Sequence, residues 1–129
     1  MADLKTAKLF IGMFYFFPPG ECRFRNKKYK MVEFFHKNKD EYPDLLKHMQ
    51  FYKTSFGYNP SQVSQALSTL GTMGVLSSWG IMFDPYEFTC PGPNYIRNHV
   101  FSTFDQDRLK ELSDLFQEEF MHPMSAGML

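Results

Sequence analysis

The clearest periodic pattern in this chain lies between Phe56 and Gly80. Val63, Ala66, Leu67, Leu70 and Met73 recur there at offsets of three, four, seven and ten, which lines them along one side of a helix and turns that side toward a core. Asn59 supplies an N-cap oxygen, and Pro60 at the first helical position has no amide to leave unpaired. Gly71 and Gly74 weaken the other end, so the spacing predicts a stop and a turn near Gly74. Val75 and Leu76 follow, and the aromatic and branched content of Trp79 to Phe83 predicts a strand. Asp84-Pro85 reads as a turn and Tyr86 to Thr89 as the returning strand.

The flanking segments read as further helices. Asp3 caps a first helix from Leu4 to about Phe17, polar at its start and then apolar almost all round, until Pro18-Pro19-Gly20 stops it. Asn26 caps a second, on which Tyr29, Val32 and His36 repeat beside Met31, Phe34 and Phe35. Pro43 opens a third that reaches about Lys53, with Leu45, Leu46, Met49 and Tyr52 on one side, and Thr54 to Tyr58 is a link. Cys90 to Asn94 is irregular because two prolines surround a glycine, and Tyr95 to Phe101 alternates loosely enough to be an edge strand. Thr103 with Gln106 suggests a capping box for a last helix, 103–121, whose stripe is Leu109, Leu112, Leu115 or Phe116, and Phe120. Residues 122–129 are expected to form a mobile tail. With no internal repeat and no low-complexity linker, the expectation is one mainly α domain over 1–129 with a small β-hairpin, of winged helix-turn-helix type, the central helix standing where a recognition helix stands and the hairpin forming the wing.

Composition narrows the chemistry. At 129 residues the chain has fourteen basic and fourteen acidic residues and no formal net charge, which excludes a large uniform positive field of the kind that drives non-specific nucleic-acid binding. Fifteen phenylalanines point to an aromatic core with apolar surface to spare for a partner. Cys22 and Cys90 form no CxxC pair and read as free thiols. Leu9 to Phe17 is too short to span a bilayer, and Pro18-Pro19-Gly20-Glu21 stands where a signal peptide would carry small cleavage-site residues, so a cytoplasmic protein without a membrane segment is expected.

Catalysis finds no foothold. His36, His48, His99 and His122 are widely spread, and none stands with a carboxylate or thiol at metal-ligand or nucleophile spacing. No glycine-rich phosphate loop is present, because Gly71-Thr72-Met73-Gly74 lacks the lysine and the preceding strand. The expectation is therefore a non-enzymatic chain with no catalytic residue, cofactor or metal. The run RFRNKKYK gathers Arg23, Arg25, Lys27, Lys28 and Lys30 around Phe24 and Tyr29; these cations could hold phosphates while Gln62 and Gln65 read base edges, although a solvated helix face is the commoner meaning of such a run. Against nucleic acid, no lysine or arginine occurs between Lys53 and Arg97, the span that holds the recognition helix and wing, whereas phosphate neutralisation supplies most of the affinity of such modules. A protein partner, or a second copy of the chain as a homodimer, needs no such charge. Trp79, Met82, Phe83 and Tyr86, with Ile81, are the candidate partner-binding anchors around the wing.

Taken in order, the buried first helix, the lysine-rich RNKKYKMVEFFHK, the step Phe56-Gly57-Tyr58-Asn59-Pro60, the helix with Leu67 and Leu70, and Met73-Gly74-Val75-Leu76 resemble in spacing the SocA-like (Panacea) winged-helix proteins of bacteria and phages. The resemblance covers about residues 5 to 90 and carries over no functional residue. It implies an antitoxin or proteolytic adaptor acting through protein contacts. The first reading is thus a regulatory or adaptor domain that binds protein, and the alternative a winged-helix DNA-binding transcriptional regulator.

Overall fold

A computed structural model of the chain describes residues 4–25, 27–78 and 86–121. The fold is mainly helical with small antiparallel sheets. Helix α1 (Leu4–Tyr15) is its axis: Thr6, Ala7 and every residue from Leu9 to Phe14 are buried. It packs against α4 (Ser61–Thr72), α6 (Gln106–Phe120) and the turn of π-helix Ile96–Val100. An all-round apolar helix is stable only when neighbours cover most of its sides, and these three elements do so. Gly12 sits at the tightest of these approaches, where a Cβ would lie 2.8 Å from Leu109 Cδ1 and 3.1 Å from Val100 Cγ1.

At its C-terminal end α1 and the residue after it are tied to α6 through side chains. Buried Ser113 donates from Oγ to the Met13 carbonyl at 2.6 Å, and Gln117 Nε2 donates to the Phe16 carbonyl at 3.1 Å and to Ser113 Oγ at 3.0 Å. Polar atoms on the inner side of an amphipathic helix are tolerated because each has a partner.

Strands β1 (Arg23–Phe24), β4 (Leu76–Ser78) and β5 (Tyr86–Phe88) form one antiparallel sheet in the order β1-β5-β4. Arg23 lies opposite Glu87, Phe24 and Ser78 opposite Tyr86, and Leu76 opposite Phe88. The inward rings of this sheet meet α1, with Phe14 stacked on Phe88 at 4.2 Å and Phe24 at 5.1 Å from Phe14. Helix α2 (Lys28–Asn38) buries Met31, Val32, Phe34 and Phe35, and packs against α4 and β3 (Gly57–Tyr58).

Several expectations change. The basic run is not one helical face: Arg23 and Phe24 are in β1, and α2 begins only at Lys28. The third helix, α3 (Pro43–Leu46), stops seven residues short of Lys53. Beyond it Gln62 takes over backbone pairing, accepting from the Gln50 amide at 2.9 Å and donating to the His48 carbonyl at 3.3 Å, so those groups no longer need a helix. The link from Thr54 to Tyr58 is a second small hairpin, β2 (Lys53–Thr54) paired with β3. Residues 95–101 are no edge strand: α5 (Pro93–Tyr95) runs into Ile96–Val100, where Ile96 and Val100, four apart, are buried together. Pro93 opens this segment because a first-turn proline forfeits no helical bond. The cap of α6 is Asp105, whose Oδ1 accepts from the Arg108 amide at 3.0 Å, rather than Thr103. Tyr52 and Met73, assigned to apolar faces, are exposed. The turn at Gly74 stands, with φ +80°. The strand Trp79 to Phe83, the Asp84-Pro85 turn, the Asp3 and Asn26 caps and the 122–129 tail lie outside the described residues.

Candidate functional site

The most exposed large apolar side chain among the described residues is Phe56, at 86%, and the local sequence explains its placement. Thr54 Oγ1 donates to the Gly57 carbonyl at 2.7 Å and accepts from the Phe56 amide at 3.2 Å, which closes the turn on itself. Gly57 completes it at φ +117°, a conformation L side chains avoid. The ring of Phe56 therefore projects from a braced tip. At the root of the hairpin, Tyr58 stacks on His36 of α2 with ring centroids 4.1 Å apart, Phe51 meets the same imidazole edge-on at 5.1 Å, and Lys53 Nζ lies 5.3 Å from the Tyr58 ring centre. Tyr29, Glu33 and His36 recur at helical spacing, so the half-exposed ring of Tyr29 (53%) stands one turn before the carboxylate that borders Gly57.

Tyr52 and Asn59, which flank the hairpin, help line a groove of about 390 Å³ together with His48, Gln50, Ser61, Gln62 and Gln65. Tyr52, 62% exposed, forms one wall and donates from its hydroxyl to Gln50 Oε1 at 2.7 Å. Asn59 Oδ1 accepts from the Ser61 amide at 2.8 Å. From the groove the outer face of α4 continues through Ser64, Gln65, Ser68 and Thr69, all neutral. Residues 54 to 83 contain no formally charged side chain at all.

The nucleic-acid candidates are scattered by this arrangement. Arg23 is held in the sheet, its Nε 3.5 Å from Glu87 Oε2. Gln62 is occupied by the backbone of His48 and Gln50, and of the two glutamines Gln65 is the exposed one. Arg25 and Lys27 are exposed before α2, and Lys28 and Lys30 lie in its first turn; among the described residues, Lys27, Lys28 and Lys30 form no ion pair. Of the partner-binding candidates, Tyr86 is half-buried and stacks on Phe24 at 5.5 Å; Trp79, Met82 and Phe83 lie outside the described residues. Sequence reasoning missed Phe56 and Tyr52 as surface groups. The signal for the first was present: an aromatic before a glycine, flanked by Thr54 and Tyr58, is hairpin-turn chemistry.

Neither Cys22 nor Cys90 is in a disulfide. Burial pushes the Cys90 thiol up to about 11, and burial followed by the nearby Glu87 carboxylate raises that of Cys22, the reverse of what a nucleophilic cysteine needs. Among the described residues no three metal-ligating side chains cluster, and no helix is long and apolar enough to cross a membrane. Neither a protein-family model, nor a curated protein, nor a solved structure matches this chain.

Proposed function

We propose that this chain is a non-enzymatic regulator or adaptor of the cytoplasm, of winged-helix type, which works by gripping another protein with the β2–β3 hairpin and the outer face of α4. What supports the winged-helix reading is the order α1, β1, α2, α4, β4, β5, interrupted by α3 and the β2–β3 hairpin before α4, with an antiparallel β1-β5-β4 sheet; on this reading α4 is the counterpart of a recognition helix. The observation that carries the protein-contact reading is Phe56 on its braced tip beside a surface without charge. Charged groups are depleted at the centres of protein interfaces and aromatic side chains are enriched there, whereas a duplex-binding face requires cations. The protein contacts implied by the SocA-like resemblance agree with it.

A photo-crosslinking side chain at position 56, with position 114 on the outer face of α6 as control, tests the reading in the native cells. Position 56 should yield a discrete protein adduct that position 114 does not. Adducts to nucleic acid, or sequence-selective duplex binding in a gel assay, would overturn it in favour of a DNA-binding regulator. That second reading rests on Lys27, Lys28 and Lys30, at and just before the first turn of α2. It requires affinity to fall steeply as salt rises.

A further inference from the structure

Charge is sorted in this molecule, although its sum is zero. The chain has no carboxylate from 22 to 32 or from 45 to 83, which covers β1, the first turn of α2, the hairpin, the groove and α4. The outer face of α6 carries exposed Asp107, Glu111, Asp114 and Glu118 at helical spacing. Cations near those acids are paired: Arg108 with Asp44 at 3.3 Å, Lys110 with Asp114 at 3.1 Å and Lys37 with Glu119 at 3.2 Å. Lys27, Lys28 and Lys30 have no such partner among the described residues. Lys28 and Lys30 flank Tyr29, whose side of α2 faces the hairpin.

Resting on the protein-contact reading above, we infer that the partner is an acidic, amphipathic protein segment, whose apolar side chains meet Phe56 and Tyr52 while its carboxylates meet Lys53 and the first turn of α2. Complementary charge across an interface selects partners and speeds encounter. A symmetric dimer through this surface is disfavoured by the same distribution. It would bring the cations of the hairpin and α2 toward their own copies, with Glu33 the nearest carboxylate to the tip.

The test uses three probes on the whole 129-residue, ¹⁵N-labelled chain: a helical peptide of leucine and glutamate in amphipathic register, the same peptide with lysine for glutamate, and an oligothymidine. The glutamate peptide should shift the amides of residues 52–58 and 61–65. Its affinity should fall roughly tenfold in Phe56→Ala, and comparably in a Lys27→Glu/Lys28→Glu/Lys30→Glu variant. All these sites are surface positions, and an unchanged circular dichroism spectrum confirms the fold of each variant. If the lysine peptide binds the same amides equally well, the acidic partner is wrong and the protein contact stands. Binding of neither peptide, or shifts located elsewhere, also overturns the acidic partner. Tighter binding of oligothymidine at these amides overturns both readings.

Discussion

A methyl group added to Gly12 would press on Leu109 and Val100 at once. Leu109 can swing its terminal carbons only into space already filled, because both neighbours are fully buried. Gly12→Ala should therefore cost about 1–3 kcal/mol, the range for overpacking a dense core, despite alanine's better helix propensity; urea denaturation measures it, and a stabilised variant would show that α6 can retreat. The cysteines give a second prediction at this scale. A thiol whose pKa the fold raises stays neutral in the folded chain where the unfolded chain would ionise. For Cys90 the window runs from the ordinary 9.0 to about 11. Stability is intact below it and falls as pH climbs through it, since the unfolded state then binds fewer protons. At about pH 8 the native thiols should react with a disulfide reagent more slowly than the same thiols in denaturant. Neither feature is legible in the sequence: Gly12 there is a small residue in an apolar run, and a cysteine's burial depends on what folds over it.

At the scale of elements, legibility followed local chemistry. The α4 stripe was readable because Val63, Ala66, Leu67 and Leu70 keep one period and are buried together, and Gly74 turns the chain where only glycine is comfortable. Where distant groups decide, pattern failed. Beyond α3 the His48 carbonyl and the Gln50 amide find their partner in Gln62 of another element. Residues 95–101 are helical because Ile96 and Val100 are both wanted by α1, and a loose alternation gave no hint of that. The α6 cap shows the resolution limit, since Thr103 and Asp105 are each plausible and two residues apart. Their roles separate on mutation. Asp105→Ala should cost about 1 kcal/mol through the lost bond to the Arg108 amide, whereas Thr103→Ala, which loses a hydroxyl bond to the His99 carbonyl at 3.2 Å, should cost less. Thermal unfolding followed by circular dichroism ranks the two, and the reverse order would return the cap to Thr103.

At the scale of the whole molecule, Phe14 and Phe56 do different work, one buried and the other exposed. Phe14 is in ring contact with Phe10, Phe17, Phe24 and Phe88, so one side chain of α1 touches two strands that are far apart in the sequence, and all belong to one cluster of buried residues. Removing it empties a cavity that none of these rings can fill without abandoning another partner. Phe14→Ala should therefore cost about 3–5 kcal/mol, with helix and sheet signals lost in a single transition. Phe56 touches none of that cluster. Its removal should change stability by no more than about 0.5 kcal/mol, as for surface substitutions generally, or raise solubility by deleting an exposed ring. An aromatic so exposed contributes little to folding, so the difference between the two variants isolates whatever binding it supports. If denaturant titration finds Phe56→Ala as damaging as Phe14→Ala, the hairpin is part of the folding core and its tip is not a surface held out for a partner.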